Sequence, residues 1–106
     1  RVVAAQHAWL APLPPEGASA IVHRDTHHAA QMAAAQGVRS ADLVAAGIVD
    51  RIVEEPEDPA ADREEFCRRL GTALHDEVAR VITMVGRDRR ALRRNRYRRL
   101  GNLPRY

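Results

Sequence analysis

The chain opens on a concentrated run of apolar residues. The run is continuous rather than alternating, and alanines separate its larger members, which are Val2, Val3, Trp9, Leu10 and Leu13. Continuous apolar runs are typical of parallel strands buried on both faces, so residues 1–13 are predicted to form a buried strand. Because a strand needs neighbours for its backbone groups, residues 2–8 are expected to pair with another strand.

Two short helical patterns follow this strand. Residues 16–22 are predicted to form the first helix, directly after a pair of prolines. Residues 26–36 are predicted to form the second, with Asp25 as its N-cap and Gly37 at its end.

A third short helix and a second strand are predicted from the next segment. Ser40 is a favourable N-cap and Gly47 a favourable C-terminal stop for a helix between them. Four of the six residues 48–53 are apolar and β-branched, which favours a short strand. Residues 54–62 are acidic and contain two prolines, so they are interpreted as a linker.

The clearest periodicity lies in the second half of the chain. Apolar residues recur there at helical spacing and form one stripe, which consists of Phe66, Leu70, Leu74, Val78, Val81, Ile82 and Val85. The stripe predicts a long helix over residues 60–85 that ends at Gly86. Cys67 lies on this helix and is interpreted as a small buried hydrophobic residue.

A final helix over residues 88–100 is rich in arginine on every side. Leu92, Arg96 and Leu100 are spaced by four residues and therefore share one face. Arg96 is thus expected to be partly buried, where its guanidinium needs a carboxylate or a carbonyl partner.

Charge is distributed unevenly along the 106 residues. The chain has 17 basic residues, all of them arginine, and a formal net charge of +3. Residues 87–106 contain nine arginines and one aspartate, whereas residues 1–86 contain eight arginines and thirteen acids. The basic end is therefore expected to bind an acidic partner, including an acidic part of its own chain. The length suits one small domain.

Composition excludes several kinds of site. One cysteine excludes an internal disulfide and a multi-cysteine zinc site, and no apolar run is long enough to span a bilayer. Glycine-rich phosphate loops and the nucleophile elbow are absent. His23, His27 and His28 cluster, but without a metal-binding motif around them surface or capping roles are favoured over a metal site. The first residues resemble the middle of a structured element, so the chain is expected to be a segment of a longer protein.

The turn between the first strand and the first helix is the most suggestive place for a ligand. Pro14 and Pro15 end ladder pairing, and Gly17 permits a close backbone approach or a positive φ. Ligands of α/β proteins tend to bind where a strand gives way to a tightly packed helix. Glu16 would either contact a ligand or act as a first-turn carboxylate facing the helix dipole, and the second interpretation is favoured.

Taken together, these residues resemble the carboxyltransferase subunits of biotin-dependent carboxylases, in particular the α-type half of bacterial acetyl-CoA carboxylase. Residues 15–25 read P-E-G-A-S-A-I-V-H-R-D, which is similar to that family's S-P-E-G-A-A-x-I-L-x-[KR]-D segment. The similarity continues in order through R-S-A-D-L at residues 39–43, G-I-V-D at 47–50, I-V-E-E-P at 52–56, and the R-Y pair of Arg96 and Tyr97.

The resemblance implies an α/β fold, namely the C-terminal portion of a crotonase-type (ClpP/crotonase) fold that is mostly helical with two short strands. It also implies transfer of a carboxyl group from carboxybiotin, on a carrier protein, to acetyl-CoA or another short acyl-CoA, giving malonyl-CoA for fatty acid biosynthesis. In such enzymes backbone N–H groups of glycine-rich turns stabilise the enolate and the biotin oxyanion, and these turns lie upstream of the P-E-G segment. No catalytic side chain and no metal ligand is therefore assigned here, whereas Pro15, Glu16, Gly17 and Ala18 would line or buttress the biotin-side cleft.

The resemblance further implies a domain organisation and partners. Residues 1–55 would supply the last core strand and its helices, residues 56–62 an acidic linker, and residues 63–106 a C-terminal helical hairpin with an arginine-rich tail. The expected partners are the biotin carboxyl carrier protein and the rest of the carboxyltransferase, as an upstream half or a companion subunit. The assembly would be a cytoplasmic homo- or hetero-oligomer that binds neither membrane nor nucleic acid, and this piece alone is expected to be inactive.

Two other functions stay open. The G-I-V-D-x-I-V motif at residues 47–53 is shared by other crotonase-superfamily enzymes such as enoyl-CoA hydratases, although P-E-G-A, R-D and the late R-Y favour a carboxyltransferase. The non-enzymatic alternative is a small arginine-rich helical module that binds an acidic protein or a nucleic acid. The lack of interleaved aromatic residues argues against nucleic acid.

Overall fold

The computed structural model describes residues 1–99. It is mostly helical with two short parallel strands, as the sequence predicted, and this is consistent with the α/β class. The elements in chain order are β1 (Val3–Ala5), α1 (Pro15–His23), α2 (Ala29–Gln36), α3 (Ser40–Ala45), β2 (Arg51–Val53), α4 (Arg63–Ile82) and α5 (Gly86–Arg98). The predicted end of the last helix at Leu100, and the rest of the arginine-rich tail, lie outside the described residues.

The first strand is much shorter than predicted. β1 pairs in parallel with β2, and the register joins Val3 to Arg51 and Ala5 to Val53. Residues 3–5 therefore pair as expected, but the predicted strand over residues 1–13 is wrong beyond Ala5. The chain turns there, because the N–H of Ala8 donates to the carbonyl of Ala5. Trp9 then forms an isolated antiparallel bridge with Arg39, which lies between α2 and α3.

The second strand is also shorter than the predicted span of residues 48–53. The N–H groups of Ile48 and Val49 both donate to the carbonyl of Leu43, at 2.9 and 3.1 Å, so they close the C-terminus of α3 instead of joining the ladder. Shortly after β2, Pro56 has no N–H to donate, and a residue of this kind cannot extend a ladder.

Glycines end the short helices as the sequence predicted. Gly37 and Gly47 follow α2 and α3 with φ values of 61° and 72°, in the left-handed region that glycine adopts without a steric penalty. Gly86 does not end the long helix: α4 already stops at Ile82, and Gly86 is the first residue of α5.

The cap of α3 differs from the prediction. Arg39, not Ser40, is the N-cap, and the carboxylate of Asp42 accepts its backbone N–H at 3.3 Å and its guanidinium Nε at 2.9 Å. The hydroxyl of the buried Ser40 instead donates to the carbonyl of Gln6. Ser40 therefore joins α3 to the segment after β1.

The apolar stripe of α4 is half-buried at Phe66, Leu70 and Val81 and exposed at its other members. Leu74 is 46% exposed, Val78 56% and Ile82 70%, whereas the buried residues of the helix are Ala73 and Glu77. The buried hydrophobic residues of the described chain are correspondingly few, namely Ala18, Val38, Leu43, Val49, Val53 and Ala73. No helix within residues 1–99 has both the length and the apolar character needed to cross a bilayer.

Candidate functional site

The residues predicted to line a ligand cleft lie together on the first turn of α1. Pro14 is the N-cap with φ −51° and ψ 137°, and Pro15 occupies the first helical position, where its missing N–H costs nothing. Ala18 is 7% exposed, whereas Glu16 is exposed and has no recorded side-chain partner within residues 1–99. Its position in the first turn is the one in which a carboxylate favours the helix dipole.

Gly17 has an ordinary helical backbone. Its φ is not positive, so that part of the expectation is wrong. A Cβ built at Gly17 would lie 3.7 Å from Cγ and 3.8 Å from Cδ1 of Leu13, which is normal van der Waals contact. The close backbone approach is therefore also not found among residues 1–99, and an alanine would fit at this position.

A buried serine fixes the back of α1. Ser19 is 0% exposed, and its hydroxyl donates to the carbonyl of Asp25 at 2.6 Å and accepts the N–H of His28 at 3.2 Å. The Asp25 carboxylate accepts the N–H of His27 at 2.8 Å and contacts Nδ1 of His28 at 2.9 Å. Asp25 therefore organises the connection between α1 and α2 but is not the predicted N-cap, because α2 begins only at Ala29. The hydrogen bonds from His28 and His27 hold the pKa of the Asp25 carboxyl below its ordinary value.

The histidine cluster contributes to packing in this structure. The rings of His23 and His28 stack with centroids 4.0 Å apart and planes at 20°, while His27 is exposed. Within residues 1–99, no group of three metal-binding side chains comes together. The stacked pair instead joins the end of α1 to the start of α2.

Asp50 organises the amino end of the parallel ladder. Its carboxylate accepts the N–H of Val2 at 2.7 Å, Nη1 of Arg96 at 2.7 Å and Nη1 of Arg1 at 2.8 Å. Arg96 also donates Nη2 to the carbonyl of Ile48. Its predicted partial burial against a carboxylate and a carbonyl is confirmed, since 17% of its side chain is exposed.

The same cluster extends to α4 through a second acid. Nε of Arg1 donates to Oε2 of Glu77 at 2.6 Å, and Glu77 is only 5% exposed. Burial raises the pKa of Asp50, but the hydrogen bonds from Val2 and Arg96 and the charge of Arg1 outweigh it, so the net pKa lies below its ordinary value. Ion pairs therefore connect the residues that lie just before β1 and β2 to α4.

His7 and Glu55 join the carboxyl end of the ladder. Nδ1 of His7 lies 2.6 Å from Oε2 of Glu55, and the His7 N–H donates to Oε1 at 3.3 Å. The N–H of Glu55 donates to Oε1 of Gln6 at 3.0 Å. The His7 side chain, which is 71% exposed, lies at the strand end where ligands of α/β sheets tend to bind. The bond from His7 lowers the pKa of Glu55.

Sequence reasoning missed most of these residues. Asp50 and Glu55 flank β2 within two residues of its ends, and acids at both ends of a short apolar run would have been a usable signal. Glu77 follows Ala73 by one helical turn, but nothing in the apolar stripe indicates that this polar face is the buried one. The interpretation of Cys67 as a buried hydrophobic residue is wrong, because it is exposed.

Comparison with known proteins identifies one family over nearly the whole chain. The family model described as acetyl co-enzyme A carboxylase carboxyltransferase-like matches residues 1–101. The chain is 59% identical over 105 residues to a probable biotin-dependent acyl-coenzyme A carboxylase beta3 subunit of Mycobacterium tuberculosis, covering 99% of this chain and 21% of that protein.

More distant matches are α subunits of acetyl-CoA carboxylase. The chain is 34% identical to the acetyl-coenzyme A carboxylase carboxyl transferase subunit alpha of Caulobacter vibrioides and 36% identical to that of Thermosynechococcus vestitus. Each match spans 102 residues and covers 95% of this chain but 32% of the subunit. The chain thus spans about a fifth of the length of the mycobacterial relative and about a third of the α subunits.

Proposed function

The chain belongs to the acetyl co-enzyme A carboxylase carboxyltransferase-like family, and from this premise we propose that it forms the C-terminal part of a carboxyltransferase. The enzyme moves a carboxyl group from carboxybiotin, held on a biotin carboxyl carrier protein, to the α-carbon of a short acyl-CoA. With acetyl-CoA the product is malonyl-CoA, which supplies fatty acid biosynthesis. The observation that carries the proposal is the family match over residues 1–101.

In this proposal the chain shapes the cleft and leaves the chemistry to the rest of the enzyme. Enolate and oxyanion stabilisation by backbone N–H groups belongs to glycine-rich turns outside residues 1–106. Residues 15–18 form a wall on the biotin side. The hydrogen bonds of Ser19 to Asp25 and His28 support this role, because they fix α1 against α2 directly behind that wall.

We further propose that β1 and β2 belong to a larger, crotonase-type sheet. Each strand has three residues, and a two-stranded sheet of this size is marginal alone. Residues 1–55 would complete the core around that sheet, residues 56–62 would form a linker, and residues 63–106 would form the helical hairpin and tail. The partners would be the remaining carboxyltransferase, in the same chain or a companion subunit, and the carrier protein, within a cytoplasmic oligomer.

The test is reconstitution of the complete carboxyltransferase with biotin carboxylase and its carrier protein. Label from bicarbonate is expected to enter an acid-stable acyl-CoA product, with acetyl-CoA or propionyl-CoA as acceptor, and the transfer should require the biotinylated carrier. Hydration of crotonyl-CoA measured in parallel separates this proposal from an enoyl-CoA hydratase. Hydration without carboxyl transfer would refute it.

A glycine pair tests the proposed wall. Gly17→Leu places a side chain on the first turn of α1 and is expected to lower transfer about 10- to 100-fold, as a displaced reactant does. Gly71→Leu is the matched control, because Gly71 also lies in a helix, α4, and a Cβ there has no neighbour within 4 Å. Equal activity of the two glycine variants would remove residues 15–18 from the cleft.

A further inference from the structure

A cleft of about 940 Å³ lies beside α5, away from the first turn of α1. α5 forms one side, and the ends of α3 and α4 form the other. One acid lines it, Asp50, together with six arginines, which are Arg1, Arg89, Arg90, Arg93, Arg96 and Arg99. Its volume is in the range of small-molecule sites. We call it the α5 cleft.

The positive charge of the α5 cleft is not neutralised within the described chain. Asp50 is already engaged by Arg1, Arg96 and the N–H of Val2. Among residues 1–99, Arg90 and Arg93 are exposed and have no recorded acceptor. Two guanidinium groups therefore face the cleft with their hydrogen-bonding capacity unused.

Arg96 contributes charge to the cleft rather than a free donor. Both its Nη atoms are bonded, to Asp50 and to the carbonyl of Ile48. An anion in the α5 cleft would instead supply acceptors for Arg90 and Arg93, which form part of the lining.

The cleft also has an apolar wall. Its members are Val44, Val81, Met84, Leu92 and Tyr97. Leu92 is 58% and Tyr97 56% exposed, so both offer surface to a ligand. A flat aromatic group stacks favourably on a tyrosine ring. The complementary ligand thus combines several negative charges with a flat, partly apolar group.

We propose that the α5 cleft binds a phosphorylated nucleotide. Arg90 and Arg93 hold its phosphates, since the planar guanidinium matches phosphate oxygens in pairs. The base lies against Tyr97. Two sources carry this chemistry: a free nucleotide, and the nucleotide end of an acyl-CoA, the second of which rests on the proposed function.

The experiment uses two neighbouring arginines of α5 in the complete carboxyltransferase. Adenosine 3′,5′-bisphosphate is the probe, and its dissociation constant is measured by calorimetry at low salt. Arg93→Gln is expected to weaken binding about 10-fold, the loss of one charge-assisted phosphate contact. Arg94→Gln is the control, because Arg94 lies on the same helix but does not line the cleft, and it should change binding less than about twofold. Equal thermal unfolding of both variants verifies that the fold is retained.

Three results would overturn the proposal. One is the absence of bisphosphate binding by the unaltered enzyme. Another is an equal effect of Arg93→Gln and Arg94→Gln, which would indicate binding to the general charge of α5. Binding of a nucleic acid duplex that both variants weaken equally, without mononucleotide binding, would also overturn it and assign α5 to nucleic acid.

Kinetics distinguish the two sources. If the nucleotide belongs to acyl-CoA, Arg93→Gln raises the KM for acetyl-CoA about 10-fold and leaves that for acetyl-pantetheine, which lacks the nucleotide, unchanged. If the nucleotide is free, the bisphosphate binds without competing with acetyl-CoA. Both results support the site. An enzyme that transfers no carboxyl group, yet loses bisphosphate binding selectively in Arg93→Gln, would refute the proposed function and leave the cleft assignment intact.

Discussion

The two halves of the chain bury their residues in opposite ways. In residues 1–55, Leu43, Val49 and Val53 are buried and the hydroxyl of the fully buried Ser19 has both its hydrogen bonds. In α4 the buried residues are Ala73 and Glu77, and α5 has none. Both halves contain helices with apolar residues at helical spacing, so periodicity alone does not tell which surface is covered.

The second half is attached mainly by charge. Arg1 bonds to Glu77 of α4, Arg51 bonds to Asp76 of α4 at 3.0 Å, and Arg96 of α5 bonds to Asp50. Surface ion pairs contribute little to stability, whereas removing one partner of a buried, multiply bonded pair is costly because it leaves an uncompensated charge. The first half is thus held by packing and satisfied polar groups, and the second by ion pairs that leave Leu74, Val78 and Ile82 of its apolar stripe exposed.

The largest expected effect comes from a pair of leucines. Leu43→Ala removes a side chain that is 6% exposed and is expected to lower the free energy of unfolding by about 3 kcal/mol. Leu74→Ala, at 46% exposure, should cost less than about 1 kcal/mol in this chain. Denaturant unfolding of the two variants measures the difference. Equal losses would erase the distinction between the halves. A larger loss for Leu74→Ala in the proposed complete carboxyltransferase than in this chain would show that the remaining protein covers the stripe.

A substitution of Asp50 is expected to have an effect of intermediate size on stability. Asp50→Ala leaves Arg1, Arg96 and the N–H of Val2 without their shared acceptor, and a loss of about 2 kcal/mol is expected. Asp76→Ala removes the partner of Arg51 at a site that is 46% exposed, so a much smaller change is expected. Thermal unfolding gives both values, and proteolysis of α5 should accelerate only in Asp50→Ala. A greater loss for Asp76→Ala would contradict the central position of Asp50.

The smallest effect concerns the pH dependence of an exposed cluster on α4. The guanidinium groups of Arg68 and Arg69 lower the pKa of Glu65 from 4.5 to about 2. Because the folded pKa is depressed, the stabilisation is present above about pH 4.5 and is lost as the pH falls towards 2. The difference in unfolding midpoint between the unaltered chain and Glu65→Gln should therefore be small, shrink over this interval and shrink further with added salt. A difference that grows on acidification would contradict the assignment.

Local signals predicted the element order well. Gly37 and Gly47 were identified as helix ends because few other residues adopt a positive φ without strain. The partial burial of Arg96 against a carboxylate and a carbonyl followed from its position between two leucines on one helical face. The P-E-G segment lies on the first turn of α1, and its place in a cleft stays a prediction.

The failures arose where distant contacts decided the outcome. Residues 6–13 have strand-like composition but do not pair with β2. Instead, the N–H of Leu10 donates to the carbonyl of Val38, and the N–H of Ser40 donates to the carbonyl of Ala8. The stripe of α4 was found correctly, yet its exposure depends on what lies opposite, which no local pattern contains. His7 and Glu55 are 48 positions apart, and their pairing follows only once the ladder register is known.

The parallel ladder has a consequence for the order of folding. Val2 and the carboxylate of Asp50, which close its amino end, are separated by 48 positions. Bringing such distant segments together costs loop-closure entropy before native contacts compensate for it. The hairpin of α1 and α2 and the turns of α4, in contrast, form between residues that are close in sequence. The helices should therefore appear first and the ladder last. A kinetic probe in β1 is then the one that reports completion of the native state.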